Sequence, residues 1–117
     1  MVAEPPAPER GDIVWISLTP QVGHEQSGRR PALVLSPSRY NSKVHLALLC
    51  PITNQVKGYP FEVTLPKDLP ITGVVLADQV KSLDWVARDT EIVAKAPQSV
   101  VSEVCDRLGL LLDPGSL

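Results

Sequence analysis

Apolar residues along this chain come in short runs separated by turn-forming residues. Ile13-Val14-Trp15-Ile16-Ser17-Leu18 and Ala32-Leu33-Val34-Leu35 are nearly unbroken, as is His45-Leu46-Ala47-Leu48-Leu49-Cys50. Runs of this length and composition predict strands. Phe61-Glu62-Val63-Thr64-Leu65 alternates with period two, which leaves one face wet. Val74-Val75-Leu76-Ala77, the stretch from Val80 to Trp85 and that from Glu91 to Ala96 supply further strands. Helical spacing appears only near the C-terminus, where Val101, Val104, Cys105, Leu108, Leu111 and Leu112 form one stripe. Pro97 suits the first turn of that helix, where its missing N–H costs nothing. The pattern predicts a small, strongly bent, mainly antiparallel barrel with a terminal helix. That helix must bury its stripe against the barrel or against a second subunit.

Composition narrows this picture without changing it. The 117 residues suffice for one compact domain, and 44% are hydrophobic, but only 4% are aromatic. The core must therefore come from Val, Leu, Ile and Ala. Twelve prolines favour short segments over long helices. Residues 1–10, acidic and Pro-rich, read as a flexible arm, and residues 11–117 as a single domain. No run of roughly 18 apolar residues predicts a membrane span. The first residues also lack a signal-peptide pattern, so a cytoplasmic protein is expected. Cys50 and Cys105 lack metal-ligand spacing, and in a reducing compartment both are expected to be buried thiols rather than a disulfide. Only His24 and His45 add to the ligand inventory, so neither a structural metal nor another cofactor is expected.

Net charge is −2, which by itself argues against nucleic acid. Its distribution qualifies that. Residues 24–88 hold eight Lys/Arg against five Asp/Glu, whereas residues 1–23 hold one against three and residues 89–117 two against five.

Several segments carry candidate chemistry. The loop Gly23-His24-Glu25-Gln26-Ser27-Gly28-Arg29-Arg30-Pro31 gathers a carboxylate, an imidazole and two guanidiniums between glycines, and Pro31 holds Arg30 extended. Glu25 could equally be an ordinary surface partner of an arginine. Thr53 ends a buried run and can donate to a phosphate oxygen, or simply bond its own backbone. Lys57-Gly58-Tyr59-Pro60-Phe61 mixes a cation with rings, as single-stranded RNA sites do. Asp78-Gln79-Val80-Lys81-Ser82, read as a strand, sets Asp78, Val80 and Ser82 on one face and Gln79 and Lys81 on the other. None of these signals is specific alone.

Together, and in this order, they resemble the MazF/PemK toxins. The resemblance rests on Gly11-Asp12-Ile13-Val14-Trp15, the Gly23–Pro31 loop, Val34-Leu35-Ser36-Pro37 with Tyr40-Asn41, Lys57 to Val63, and Ala77 to Ser82, across roughly residues 11–112. It implies an SH3-like, PemK-type barrel and a homodimer that cleaves single-stranded RNA at specific sequences without metal. It also implies a MazE-like antitoxin. Carried onto this chain, the family's essential arginine falls on Arg30, its threonine on Thr53 and its loop carboxylate on Glu25. Lys57, Tyr59, Asp78, Gln79 and Lys81, with Arg29 and Asn41, fall among the expected RNA contacts. Arg30 then stabilises the phosphorane, Thr53 donates to a non-bridging oxygen, and Glu25 orients Arg30 or accepts the 2′-OH proton, orientation being preferred. Two other classes stay open at this point. One is a gyrase poison of the CcdB type, which shares the barrel. The other is a non-enzymatic SH3-like module, for which five aromatic residues make a poor groove.

Overall fold

The computed structural model describes residues 5–18 and 28–115. Strands β1 (Asp12–Ser17), β2 (Arg29–Val34), β3 (Leu46–Thr53), β4 (Glu62–Thr64), β5 (Val74–Leu76), β6 (Lys81–Asp84) and β7 (Glu91–Lys95) overlap the segments read as strands from the sequence, but β2 begins at Arg29, inside the segment expected to be a loop. Two helices join them, α1 (Ser38–Val44) and α2 (Gln98–Leu112). The strands follow the order β4-β5-β3-β2-β1-β7, with β6 also pairing β3, and all pairings are antiparallel.

The expected barrel is not closed. Among the described residues β4 pairs only β5 and β7 pairs only β1, so the two end strands do not meet. The sheet's central strands are instead buried on both faces over most of their length, which is why β1 and β3 and the second half of β2 are almost continuously apolar. Ile13, Leu33, Cys50, Ile52, Val63 and Val75 form one core with Val101 and Val104 of α2. Val14, Ile16, Ala32, Val34, Ala47 and Leu49 form the other, capped by Trp85.

Proline shapes the middle of the sheet. Pro31 and Pro51 stand in central strands, where neither offers an N–H to the ladder. Pairing of β2 with β3 ends at Ala32↔Pro51. Below that point β2 pairs only β1, with Arg30 opposite Ile16, while β3 pairs β5, with Thr53 opposite Val74. The two strands therefore splay apart. On the other edge of β3, Cys50 and Pro51 face five residues, 76–80, between the β5 and β6 pairings. The surplus is taken up by a 3-10 turn, Ala77–Gln79. This corrects the continuous alternating strand expected over 78–82: Asp78 and Gln79 lie on a turn, and only Lys81 and Ser82 belong to β6.

Three further expectations are revised. Helix α1 has no apolar stripe and buries only Asn41, so periodicity could not reveal it. In α2, Val100, Val101 and Val104 are buried, whereas Cys105, Leu111 and Leu112 are exposed; Pro97 stands as the cap just before the helix rather than within its first turn. The N-terminal arm is anchored at its inner end: Pro8 is buried and Arg10 Nε donates to the Leu35 carbonyl at 2.7 Å. No helix among the described residues is long and apolar enough to cross a membrane.

Candidate functional site

The splayed ends of β2 and β3 bring the candidate residues together. Beyond the Ala32↔Pro51 pair, Arg30 on β2 and Thr53 on β3 line the gap that the prolines open. A groove of about 550 Å³ occupies this gap, lined by Arg29, Arg30, Thr53, Gln55, Trp15 and Ile71 among others. A second groove of about 360 Å³ continues from it, lined by Lys57, Tyr59, Glu62, Leu76, Asp78 and Gln79. Thr53 and Gln55 belong to both walls. Thr53 thus stands at the junction of a cationic groove and a ring-and-amide groove.

Thr53 is only 4% exposed, yet its hydroxyl is held in a useful state. Thr53 Oγ1 accepts the Gln55 N–H at 3.1 Å, so its own hydrogen remains to be donated elsewhere. The same bond turns the chain sharply after β3 and starts the loop that carries Lys57 and Tyr59. Lys57 Nζ lies 5.9 Å from the centroid of the Tyr59 ring, within cation–π range. Tyr59 is 59% exposed, so ring surface is available for a stacked base.

The remaining candidates divide clearly. Arg29 lines the first groove but is drawn toward the start of β7: Nη1 donates to the Asp89 carbonyl at 2.6 Å, and its guanidinium lies within 3.8 Å of Glu91 and 3.6 Å of Asp89 carboxylates. Lys81 opens β6 opposite Leu49 and lies outside the walls of both grooves. Asn41 is a correction. It is fully buried, Nδ2 donates to the Pro8 and Ser36 carbonyls, and Oδ1 accepts from Ser36 Oγ at 2.6 Å. Its side-chain amide is engaged within the fold rather than turned toward either groove. Glu25 lies outside the described residues.

Trp15, Gln55 and Ile71 line the grooves although the sequence reading passed over them as site residues. Trp15, predicted only as a strand residue, is half-buried and stands opposite Pro31 across the ladder. Cys50 is buried, and burial first, then Cys105 and Asp78 nearby, push its thiol up to about 12. It remains a protonated, unreactive thiol at neutral pH. Cys105, expected to be buried, is exposed. Among the described residues no three His, Cys, Asp or Glu side chains converge as a metal-ligand group.

Residues 9–112 match the family model described as PemK-like, MazF-like toxin of type II toxin-antitoxin system. The chain belongs to this toxin family. Within the PemK/MazF-like toxins, it is 53% identical over 81 residues to the endoribonuclease toxin MazF of Escherichia coli (strain K12), covering 69% of this chain and 72% of that one. The crystal structure of MazF (Form-I) from Deinococcus radiodurans superposes with a TM-score of 0.88 at 57% identity, covering 91% of this chain and 96% of that one. A MazE-MazF structure (Form-II) from the same organism gives 0.83, also at 57% identity and with the same coverage.

Proposed function

We propose that this toxin is an endoribonuclease that cuts single-stranded RNA at specific sequences, and that a MazE-like antitoxin restrains it. The observation that carries this reading is that Arg30 and Thr53 line one groove at the fork of β2 and β3, and that Thr53 also lines the second groove beside it. The names of its relatives, endoribonuclease and MazE-MazF, point the same way. A topoisomerase poison or a peptide-binding module needs no such pair.

RNA supplies its own nucleophile. The 2′-oxygen attacks the adjacent phosphorus as the bond to the 5′-oxygen breaks; a proton leaves the first oxygen and one arrives on the second. The protein's task is to hold the in-line geometry and to stabilise charge on the phosphorane. Arg30 serves the second need, because its guanidinium is permanently charged and its fork of donors matches two phosphate oxygens. The same high pKa makes it a poor proton carrier. Thr53 donates its free hydrogen to a non-bridging oxygen, and Glu25 orients Arg30. Lys57 meets phosphate, Tyr59 stacks on a base, and Asp78 and Gln79 read base edges from their turn. Metal is not required, and translation stops because messenger RNA is cut.

The working unit is a homodimer in the cytoplasm, where its substrate lies. Val44, Leu48 and Leu112 are 46%, 42% and 73% exposed, and a second subunit is the natural cover for apolar surface in a chain of this size.

The test is the chemistry of the product ends. Mass spectrometry of a cut oligoribonucleotide should find a 2′,3′-cyclic phosphate upstream and a 5′-hydroxyl downstream. A 5′-phosphate would mean that water, not the 2′-oxygen, is the nucleophile.

A further inference from the structure

The loop spanning residues 54–61 carries Lys57 and Tyr59, and it is tied down from two directions. Glu62, the first residue of β4, turns its carboxylate back into the loop. Its Oε2 accepts the Lys57 N–H at 3.0 Å, and its Oε1 accepts the Gly58 N–H at 2.9 Å. From α2, Arg107 Nη1 donates to the carbonyls of Pro60 and, at 3.2 Å, Glu62. Arg107 Nη2 in turn pairs with Glu103 Oε1 at 2.7 Å, one helical turn earlier.

These bonds bracket Tyr59: one pair fixes the backbone before it, the other the backbone after it. The chemistry assigned to Arg30 and Thr53 uses none of them. As supports for the fold they are poorly placed, since an exposed loop and a surface ion pair add little stability. As supports for binding they are well placed. A loop with Gly58 in the left-handed region, at φ +80°, has many conformations to lose when RNA binds. Ordering it beforehand removes that cost from the binding step.

We propose that Glu62 and Arg107 are positioning residues of the RNA groove, holding Lys57 and Tyr59 in the geometry that receives RNA, so that α2 is part of the substrate site. The proposal rests on the endoribonuclease reading above. Arg107 is the cleaner residue to test, because Glu62 also lines the groove and Arg107 does not.

Two RNA probes separate binding from cleavage: a cleavable oligoribonucleotide, and the same strand with one 2′-deoxyribose at the scissile position. Arg107→Ala raises KM for the first and Kd for the second by roughly tenfold, the worth of losing hydrogen bonds to a charged group. The kcat stays close to wild type. Arg107→Lys recovers part of the loss, since an ammonium meets one carbonyl at a time. In a background already lacking both Lys57 and Tyr59 side chains (Lys57→Ala with Tyr59→Ala), Arg107→Ala adds almost nothing, because it acts through them. If Arg107→Ala fails to fold, Glu103→Gln carries the same test with a smaller rise in KM. Unchanged KM and Kd, a loss confined to kcat, or full additivity in the Lys57/Tyr59 background overturns the proposal. Wild-type protein that cuts no RNA instead overturns the endoribonuclease reading, and the clamp with it.

Discussion

Gly73 passes so close to Thr53 that a Cβ built on it would stand 2.3 Å from the Thr53 carbonyl oxygen and 2.9 Å from Asn54 Oδ1. Its φ of +117° is one that L side chains rarely adopt. Glycine at this position lets β5 close onto the last residue of β3, which sets where the Thr53 hydroxyl sits. Gly73→Ala should cost about 1–3 kcal/mol from backbone strain alone. It should also lower kcat by displacing Thr53. A melting curve and a rate measured on one preparation check both; wild-type values for both would mean that the contact relaxes harmlessly.

Thr53→Ser should keep much of the activity, because Oγ survives to accept the Gln55 N–H and to donate its hydrogen. Thr53→Val removes both functions with little change in volume, leaves the Gln55 N–H without that partner, and should lose cleavage by roughly 10²-fold or more. Similar rates for the two variants would reduce Thr53 to a turn-former.

Arg30→Lys should leave the fold intact and cost about 10²–10³ in rate, since lysine keeps the charge but loses the fork. Arg29→Lys should cost far less, because the Asp89 carbonyl and the Asp89 and Glu91 carboxylates already engage that side chain. Equal losses in single-turnover assays would mean that the neighbouring arginines share the work.

Asn41→Ala should lower the melting temperature rather than the RNA affinity. It strips partners from the Pro8 and Ser36 carbonyls in a buried network, which typically costs about 1–3 kcal/mol. A rise in KM without loss of stability would restore Asn41 to the RNA contacts.

Much of the fold was legible because the central strands, buried on both faces, leave their mark as unbroken apolar runs, and the half-exposed strands as shorter or alternating ones. What escaped was set by contacts distant in sequence. Helix α1 buries no apolar side chain and is held by one asparagine that bonds the chain 33 residues earlier. The turn at Asp78 exists because of the register of β3, which no local pattern around Asp78 records. In α2 the apolar spacing was real, but only Val100, Val101 and Val104 are buried and Leu108 is half-buried against the core, while Cys105, Leu111 and Leu112 are exposed. Arg30 and Thr53 were named from resemblance. Their meeting depends on Pro31 and Pro51, prolines visible in the sequence whose effect appears only once the strands are paired.

The central claim is that the substrate's own 2′-hydroxyl performs the attack, with Arg30 and Thr53 at the phosphate. It is tested most directly with one labelled RNA strand carrying a cleavable site, offered intact and with a single 2′-deoxyribose immediately 5′ of the scissile phosphate, each with and without EDTA. Cleavage of the intact strand should persist undiminished in EDTA, and the deoxy strand should bind without being cut. Cutting of the deoxy strand, or loss of cutting on chelation, would contradict the account.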